Sequence, residues 1–409
     1  MKKIDFCSPK GSKNFSRLFN LSKDAYNLTH ENLSLCSVGF GMYKGSFDHK
    51  GRKNYQNLIY NFIKSGVNVF DCARKYRHGY SEIDFGIVFQ NLIKQKFISR
   101  NQIFVSSKAG LINFYQDKKK ILTANEFAKY RGLKKSDIKN NLFCASKKFL
   151  EQEIDISLKN LRLKTLDNYY LHNPEFLEGN KNNYKDYYNV FETFEKAVQE
   201  NKIKSYGISS WTGFRRYSNS SFYIDLKKML RIAQDVAGEK HNFKNIQVPI
   251  SIYMPFAVTC YKFDKNKKLI NFCNKNKINI FSSASLYEGR IEEFFNLLNI
   301  FNFSNSKRNH NHSINNDILI NKISLPDSDN SILQLFNILQ KISKNKNKLP
   351  IKFGKNIYKD SLNFVRSNSF ITTSLFGVEN FKQLDENLSI LKMPKFSKKI
   401  LLKIWKNLS

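Results

Sequence analysis

The sequence has no pair of cysteines at C-x-x-C spacing and no cluster with metal-ligand spacing. Its six cysteines (Cys7, Cys36, Cys72, Cys144, Cys260 and Cys273) are scattered over 409 residues. That excludes a disulfide framework and points to free thiols in a reducing compartment, here taken as the cytoplasm. Long apolar runs are also absent. Nothing approaches the about 20 apolar residues needed to span a bilayer. The N-terminal stretch "MKKIDFCSPKGSKNFSRLF" has basic residues but no continuous apolar segment of the signal-peptide kind. Acidic residues are scarce, 34 against 68 Lys and Arg, for a net charge of +34. Such an excess ordinarily suggests a polyanionic partner. Here the lysines are spread along the whole chain among abundant Asn, Ile, Phe and Tyr. A bias toward A/T-rich codons accounts for that mixture, and no concentrated basic stripe stands out. Nucleic-acid binding is therefore the minority reading; no membrane partner is expected.

Hydrophobic residues make up 41% of the chain, enough for a large core, as one barrel-sized domain or two ordinary ones. Eight short runs rich in β-branched and aromatic residues recur: "SLCSVGFG" (34–41), "VNVFDCA" (67–73), "IFVSSKAG" (103–110), "LDNYYLHN" (166–173), "IKSYGISS" (203–210), "NIQVPISI" (245–252), "INIFSSAS" (278–285) and "ITTSLFGV" (371–378). Continuous rather than alternating apolarity fits parallel strands buried on both faces. The intervening segments read as amphipathic helices. "NYQNLIYNFIKSG" carries Leu58, Ile59, Phe62 and Ile63, with Gly66 as a stop. "FLEQEIDISLKNL" lines up Phe149, Leu150, Ile154, Leu158 and Leu161. The alternation predicts an α/β fold, a single-domain (β/α)8 TIM barrel. Two excursions interrupt it. One is a long polar connection at 111–145. The other is an Asn/Ser-rich stretch at 302–330, read as a surface insertion whose His310 and His312 belong to a solvated loop rather than a metal site. No metal ligand set is expected.

In such barrels the side chains at the carboxyl ends of strands face the active-site mouth. The second run ends in Asp71, with Tyr76 in the loop beyond; the third ends in Lys108 and the fourth in His172. Taken singly, each has a bland explanation: a turn cap, a surface ion pair, a packing aromatic, a satisfied backbone group. Together, at matched strand ends, they deliver Asp, Tyr, Lys and His to one rim.

At these residues the sequence resembles the aldo-keto reductases. "NVFDCARKYRHGYSE" is similar to that family's Asp…Tyr…Gly-x-Ser-Glu signature, "FVSSKAG" to its strand-end Lys, and "LKNLRLKTLDNYYLHNPE" to its Leu-rich helix and strand-end His. "KIKSYGISSWTGFRRY", "GEKHNFKNIQVPISIYMPFA", "SASLYEGRI" and "NFVRSNSFITTSLFGVENFKQLDENLSIL" follow in family order. The resemblance runs from about Leu33 to Leu391, insertions aside. It sets 1–32 apart as an N-terminal extension and 33–409 as the barrel. It implies NAD(P)H-dependent reduction of an aldehyde, ketone or sugar carbonyl. Tyr76 would give the proton, Lys108 would ease its ionisation, Asp71 would hold Lys108, and His172 would orient the carbonyl. A regulatory or scaffold subunit that binds the nucleotide with little turnover is the alternative.

For the cofactor, the resemblance places Ser209, Ser210 and Gln247 at the nicotinamide carboxamide, although the family usually has Ser-Asn where this chain has Ser209-Ser210. Ser283 fills the position of a stacking aromatic, with Leu286 and Gly289 beyond it. Gly377, Glu379, Gln383 and Asn387 fall where adenosine phosphates, ribose and adenine are held. The family prior favours NADP(H), and it is placed ahead of NAD(H). Glu379 pulls the other way, because a carboxylate repels a 2′-phosphate and suits a free ribose hydroxyl. Trp211 and Arg215, with Phe214, Arg216 and Tyr217, form either a substrate wall or the exposed end of a helix. Arg74, Lys75, Arg77 and His78 crowd the same rim and are read by default as a solvated basic loop. Loops set specificity, so neither the carbonyl substrate nor the oligomeric state is read from one sequence.

Overall fold

The computed structural model describes residues 5–116, 120–177, 184–215, 220, 222–252, 254, 262–263, 267–286 and 357–408. Gly289, Arg216, Tyr217, His310, His312 and the whole stretch 302–330 lie outside them. Eight parallel strands close into a barrel: β1 (Val38–Gly41), β2 (Val69–Asp71), β3 (Phe104–Ala109), β4 (Asn168–His172), β5 (Tyr206–Ser209), β6 (Phe243–Pro249), β7 (Asn279–Ser283) and β8 (Thr373–Phe376). Each pairs with its neighbour in sequence, and β8 pairs with β1. Seven of the eight strands fall within the runs that the sequence marks, β6 begins two residues ahead of its run at Phe243, and the barrel is the expected (β/α)8 architecture.

Helices follow the strands: α1 (His49–Lys64), α2 (Tyr80–Lys94), α3 (Lys147–Leu161), α4 (Lys185–Gln199), α5 (Leu226–Ala237), α6 (Leu269–Lys275), α7 (Ile357–Arg366) and α8 (Phe381–Leu388). In α1 the Asp48 carboxylate caps the first turn by accepting the Gly51 N–H at 2.8 Å. Its apolar stripe, Leu58, Ile59, Phe62 and Ile63, is buried on the barrel. The helix stops at Gly66, whose φ of 92° favours glycine. A β-carbon there would lie 2.8 Å from Leu21 and 3.0 Å from the Tyr26 hydroxyl. No described helix is long and apolar enough to cross a membrane.

Two expectations need correction. The first apolar run, 34–41, is not one strand. Ser34–Cys36 pairs antiparallel with Tyr26–Leu28 in a hairpin, and only Val38–Gly41 enters the barrel. The division falls at Ser37, whose N–H serves Ala25 of the hairpin while its carbonyl accepts Ser374 of β8. The hairpin sits at the amino ends of the strands. There Asn68 accepts the Cys36 N–H and donates to Ser34, Asn279 accepts the His30 N–H, and Asn27 donates to the carbonyl of Thr372. Just inside, Val69, Phe104, Phe281 and Leu375 fill the barrel with Leu35 and Cys7, and Phe104 stacks on Phe281 at 5.5 Å.

The second correction concerns 111–145, read as a polar connection. It builds a hairpin (Tyr115–Gln116 with Lys120–Ile121), a helix (Ala124–Arg131) and a second hairpin (Ile138–Lys139 with Phe143–Cys144). Phe127 anchors that helix, buried against Phe114 and Phe149.

Candidate active site

Register brings the strand-end residues together. Asp71 pairs across the ladder with Ser106, and Tyr170 with Lys108. His172 faces Ser209, which faces Gln247. Because side chains alternate along a strand, this alignment decides which of them share the mouth.

Lys108 is fully buried, and its ammonium is completely engaged. It pairs with the Asp71 carboxylate and donates to the Cys72 carbonyl at 3.0 Å and to the Tyr76 hydroxyl at 3.2 Å. An ammonium has three donors, so none is left over. Asp71 receives its second bond from the Ser106 hydroxyl at 2.7 Å. Burial pulls the Lys108 pKa below its ordinary value, and Asp71 opposes that pull. The His172 ring stands 5.5 Å from that of Tyr76, nearly perpendicular at 84°. Burial, then the positive charges of Lys108 and Lys75, hold its pKa well below the usual imidazole value. His172 is therefore a neutral hydrogen-bonding group. The structure thus brings together all four of the residues that the strand ends suggest.

The loop that carries Tyr76 is forced into shape. Arg77 (φ 49°) and His78 (φ 56°) are both left-handed, which costs on the order of 1–3 kcal/mol per non-glycine residue. Gly79, at φ 93°, takes the third such position, where a β-carbon would lie 3.2 Å from the Arg74 guanidinium. The double kink sends Arg77 inward and leaves His78 exposed. Ser81 closes the turn, donating to the carbonyls of Met42 at 2.7 Å and Tyr76 at 3.2 Å.

The reading of a solvated basic loop fails for both arginines. Arg74 is buried between Glu82 and Glu153, at 3.1 Å from each. Burial alone would weaken its charge, but the two carboxylates hold its pKa above the ordinary value. Glu82 also accepts the Ser107 hydroxyl at 2.6 Å, beside Lys108. Arg77 lies over the Tyr55 ring at 3.6 Å, 3.0 Å from Asp84, and donates to the carbonyls of Gly45 and Ser46. It thereby ties down the loop that sets Tyr43 edge-on to Tyr76, with ring centres 5.2 Å apart. Only Lys75 and His78 of the four are exposed. Glu82 and Tyr43 were not singled out from sequence, and Arg77 only as part of the basic loop. Glu82 lies inside the Gly-x-Ser-Glu signature, the one signal that pointed to it.

The expected nicotinamide pocket lies across the mouth. The Ser209 hydroxyl donates to Gln247 Oε1 at 2.9 Å. Gln247 Nε2 is buried and has no hydrogen-bond partner among the described residues. An orphaned buried amide is costly, and a carboxamide oxygen placed there would satisfy it, so the residues fit a nicotinamide. Ser210 points elsewhere: its hydroxyl donates to Glu175 at 2.9 Å and accepts the Gly213 N–H at 2.8 Å. Ser283 is half-buried at the end of β7, and Leu286 is buried just beyond. At β8, Gly377 is exposed, and a β-carbon there would meet only the Gly41 carbonyl, at 3.2 Å. Asn380 caps α8 by accepting the Gln383 N–H at 3.0 Å, and Gln383 accepts the Glu379 N–H at 2.9 Å. Glu379 and Gln383 are exposed, whereas Asn387 is buried. Trp211 is half-buried; Arg215 is buried, donates to the Trp211 carbonyl at 2.6 Å and sits 5.6 Å from its ring. Phe214 is buried as well.

Known proteins share this fold. The solved structures that resemble the chain include an aldo-keto reductase from Bacillus halodurans in its holo form (TM-score 0.58, 14% identity, 94% of this chain and 96% of that one). A glycerol dehydrogenase from Gluconobacter oxydans is similar (TM-score 0.58, 14% identity, 94% and 95%), as is an aldo/keto reductase from Klebsiella pneumoniae in complex with NADP and acetate (TM-score 0.54, 16% identity, 94% and 95%). At such identities these show the fold. Among curated proteins, the NAD(P)H-dependent D-xylose reductase I,II of Candida tropicalis is 29% identical over 178 residues, 43% of this chain. The match spans about half of that protein's length, 48%. The sequence model of the aldo/keto reductase family matches residues 37–404, nearly the whole chain, and the chain belongs to the aldo/keto reductase family.

Proposed function

We propose that the protein is an NAD(P)H-dependent oxidoreductase that reduces a small-molecule aldehyde, ketone or sugar carbonyl to an alcohol. The observation that carries this is the Lys108 ammonium held between Asp71 and the Tyr76 hydroxyl, 3.2 Å from the latter. A dihydronicotinamide, when bound, would supply the hydride for the carbonyl carbon. Tyr76 transfers its hydroxyl proton to the carbonyl oxygen, and the phenolate left behind is stabilised by the adjacent ammonium. Asp71 keeps that ammonium charged despite its burial. Neutral His172, beside Tyr76, donates a hydrogen bond to the oxygen as negative charge gathers on it. Ser209 and Gln247 hold the nicotinamide carboxamide, supported by the orphaned Gln247 amide. Leu286 and Ser283 would line the nicotinamide side of the site, and Trp211 with Arg215 the substrate side. The loop from Gly377 through Glu379 to the start of α8 receives the adenosine phosphates, with Gln383 and Asn387 toward ribose and adenine.

NADP(H) stays ahead of NAD(H). The Klebsiella pneumoniae relative is complexed with NADP, the Candida tropicalis reductase is NAD(P)H-dependent, and Glu379 argues the other way. Five described cysteines are free and buried, in keeping with work in the cytoplasm. The test is oxidation of NADPH and of NADH against a panel of aldehydes, ketones, keto acids and sugars, with Tyr76→Phe as control. Turnover with at least one carbonyl, abolished in Tyr76→Phe while nucleotide still binds, is expected. Nucleotide binding without turnover on any substrate would leave a scaffold, and unchanged turnover in Tyr76→Phe would remove the tyrosine from its role.

A further inference from the structure

His172 and Ser209 end neighbouring strands, and a cluster just beyond them fixes how their loops meet. Asn173, left-handed at φ 52°, turns the chain after His172; its N–H donates to the Ser209 carbonyl at 2.6 Å. Its side-chain oxygen accepts the Trp211 N–H at 3.1 Å. Two residues on, Glu175 is only 4% exposed and reaches across to the same loop. One carboxylate oxygen accepts the N–H groups of Trp211 at 2.9 Å and Thr212 at 2.8 Å, and the Thr212 hydroxyl at 3.1 Å. The other accepts the Ser210 hydroxyl at 2.9 Å. Among the described residues its charge is met by hydrogen-bond donors and by no cation.

A buried carboxylate without a counter-ion is costly, and here it is held by four converging donors. All four belong to Ser210–Thr212, the segment that continues directly from Ser209. Ser210 is locked at both ends, since its hydroxyl also accepts the Gly213 N–H. It cannot turn toward a ligand without giving up both bonds. The side chains left to meet a carboxamide at this corner are Ser209 and Gln247, ladder partners whose pairing is continued into the anchored loop by the Ser210 N–H, which donates to the Gln247 carbonyl at 3.1 Å.

We propose that Glu175 is a positioning residue for the cofactor: it clamps Ser210–Thr212 so that Ser209 and Gln247 hold the geometry a nicotinamide carboxamide requires. This rests on the reading that the chain binds a nicotinamide nucleotide. Glu175→Gln keeps the shape but turns an amide NH2 toward hydrogen-bond donors, which breaks at least one contact.

The experiment measures the dissociation constant of NADPH and of NADH by protein fluorescence, together with kcat, cofactor KM and melting temperature. It compares the parent protein, Glu175→Gln, Thr212→Val and the exposed control Glu239→Gln. A rise in nucleotide Kd and KM of about tenfold is expected for Glu175→Gln, with kcat at saturating nucleotide within about threefold of the parent. Thr212→Val, which loses one donor, should raise Kd about threefold, and the control should leave it unchanged. A merely structural role would lower the melting temperature and leave the Kd of the folded molecules alone; that outcome overturns the proposal. If Glu175→Gln fails to fold, Thr212→Val decides, and an unchanged Kd there overturns it as well. A parent protein that binds neither nucleotide brings down the functional reading and this proposal together; binding by the parent with no loss in the variants brings down this proposal alone.

Discussion

Lys108 Nζ lies 3.2 Å from the Tyr76 hydroxyl, while the same ammonium pairs with Asp71 and bonds the Cys72 carbonyl. The charge that would help the phenol release its proton is therefore itself fully supported. Replacing Lys108 by Met strands a buried carboxylate as well as removing the cation. Turnover is expected to fall at least about 100-fold, and the protein to lose about 3–5 kcal/mol. Steady-state kinetics and urea unfolding read the two effects. A variant with near-parental kcat would sever lysine from the chemistry.

The arginines of the tyrosine loop allow a sharper comparison. Arg77 is buried and tethers Gly45 and Ser46, whereas its neighbour Lys75 is exposed. Arg77→Met should cost about 3–5 kcal/mol, as a broken buried charge pair does. It should also lower kcat/KM by releasing the loop that carries Tyr43. Lys75→Met should change stability by no more than about 0.5 kcal/mol. Equal effects from the two substitutions, seen in denaturant titrations, would restore the picture of a solvated basic loop.

His172 sets a pH dependence with a definite sign. Its pKa is depressed in the folded protein, so near neutrality it is uncharged both folded and unfolded. As pH falls below about 6.5, only the unfolded chain takes up the proton. The stability tied to His172 is thus present above about pH 6.5 and lost below it, on the order of 1 kcal/mol per pH unit, until the folded pKa is reached. The difference in unfolding free energy between the parent and His172→Gln should shrink as pH drops from 7 to 5. The rate, in turn, should show no acidic limb near pH 6.5 that His172→Gln removes. A difference that widens toward acid would mean that the ring is held protonated.

If the proposed cofactor site is right, Glu379, exposed just ahead of α8, bears on the choice between the two nucleotides. Glu379→Lys exchanges repulsion of a 2′-phosphate for attraction. The ratio of kcat/KM for NADPH over NADH should rise about tenfold. A ratio that does not move would place the adenosine end away from this loop.

The sequence made the barrel and its three strand-end residues legible for one reason: parallel strands are apolar throughout, so Asp71, Lys108 and His172 stand out where each run surfaces. The split at Ser37 was hidden because hairpin strand and barrel strand follow one another with that single serine between them. The insertion at 111–145 looked polar because Phe114, Phe127 and Phe143 are dispersed among lysines and asparagines. Arg74 and Arg77 were misjudged because their fate depends on distant carboxylates. Glu153 lies 79 positions from Arg74, and nothing local distinguishes an arginine that folds inward from one that faces water.

The buried arginines bear on how this chain can change over time. Where A/T-rich codons accumulate, lysine replaces arginine at little cost on an exterior that needs only charge. Arg74 divides its planar fork between two carboxylates, and Arg77 spreads its own between a ring, a carboxylate and two carbonyls. A lysine, with its compact point charge, reproduces neither. Nucleotide drift can therefore rewrite the outside of the molecule freely, while the walls of the reaction chamber hold the arginines in place.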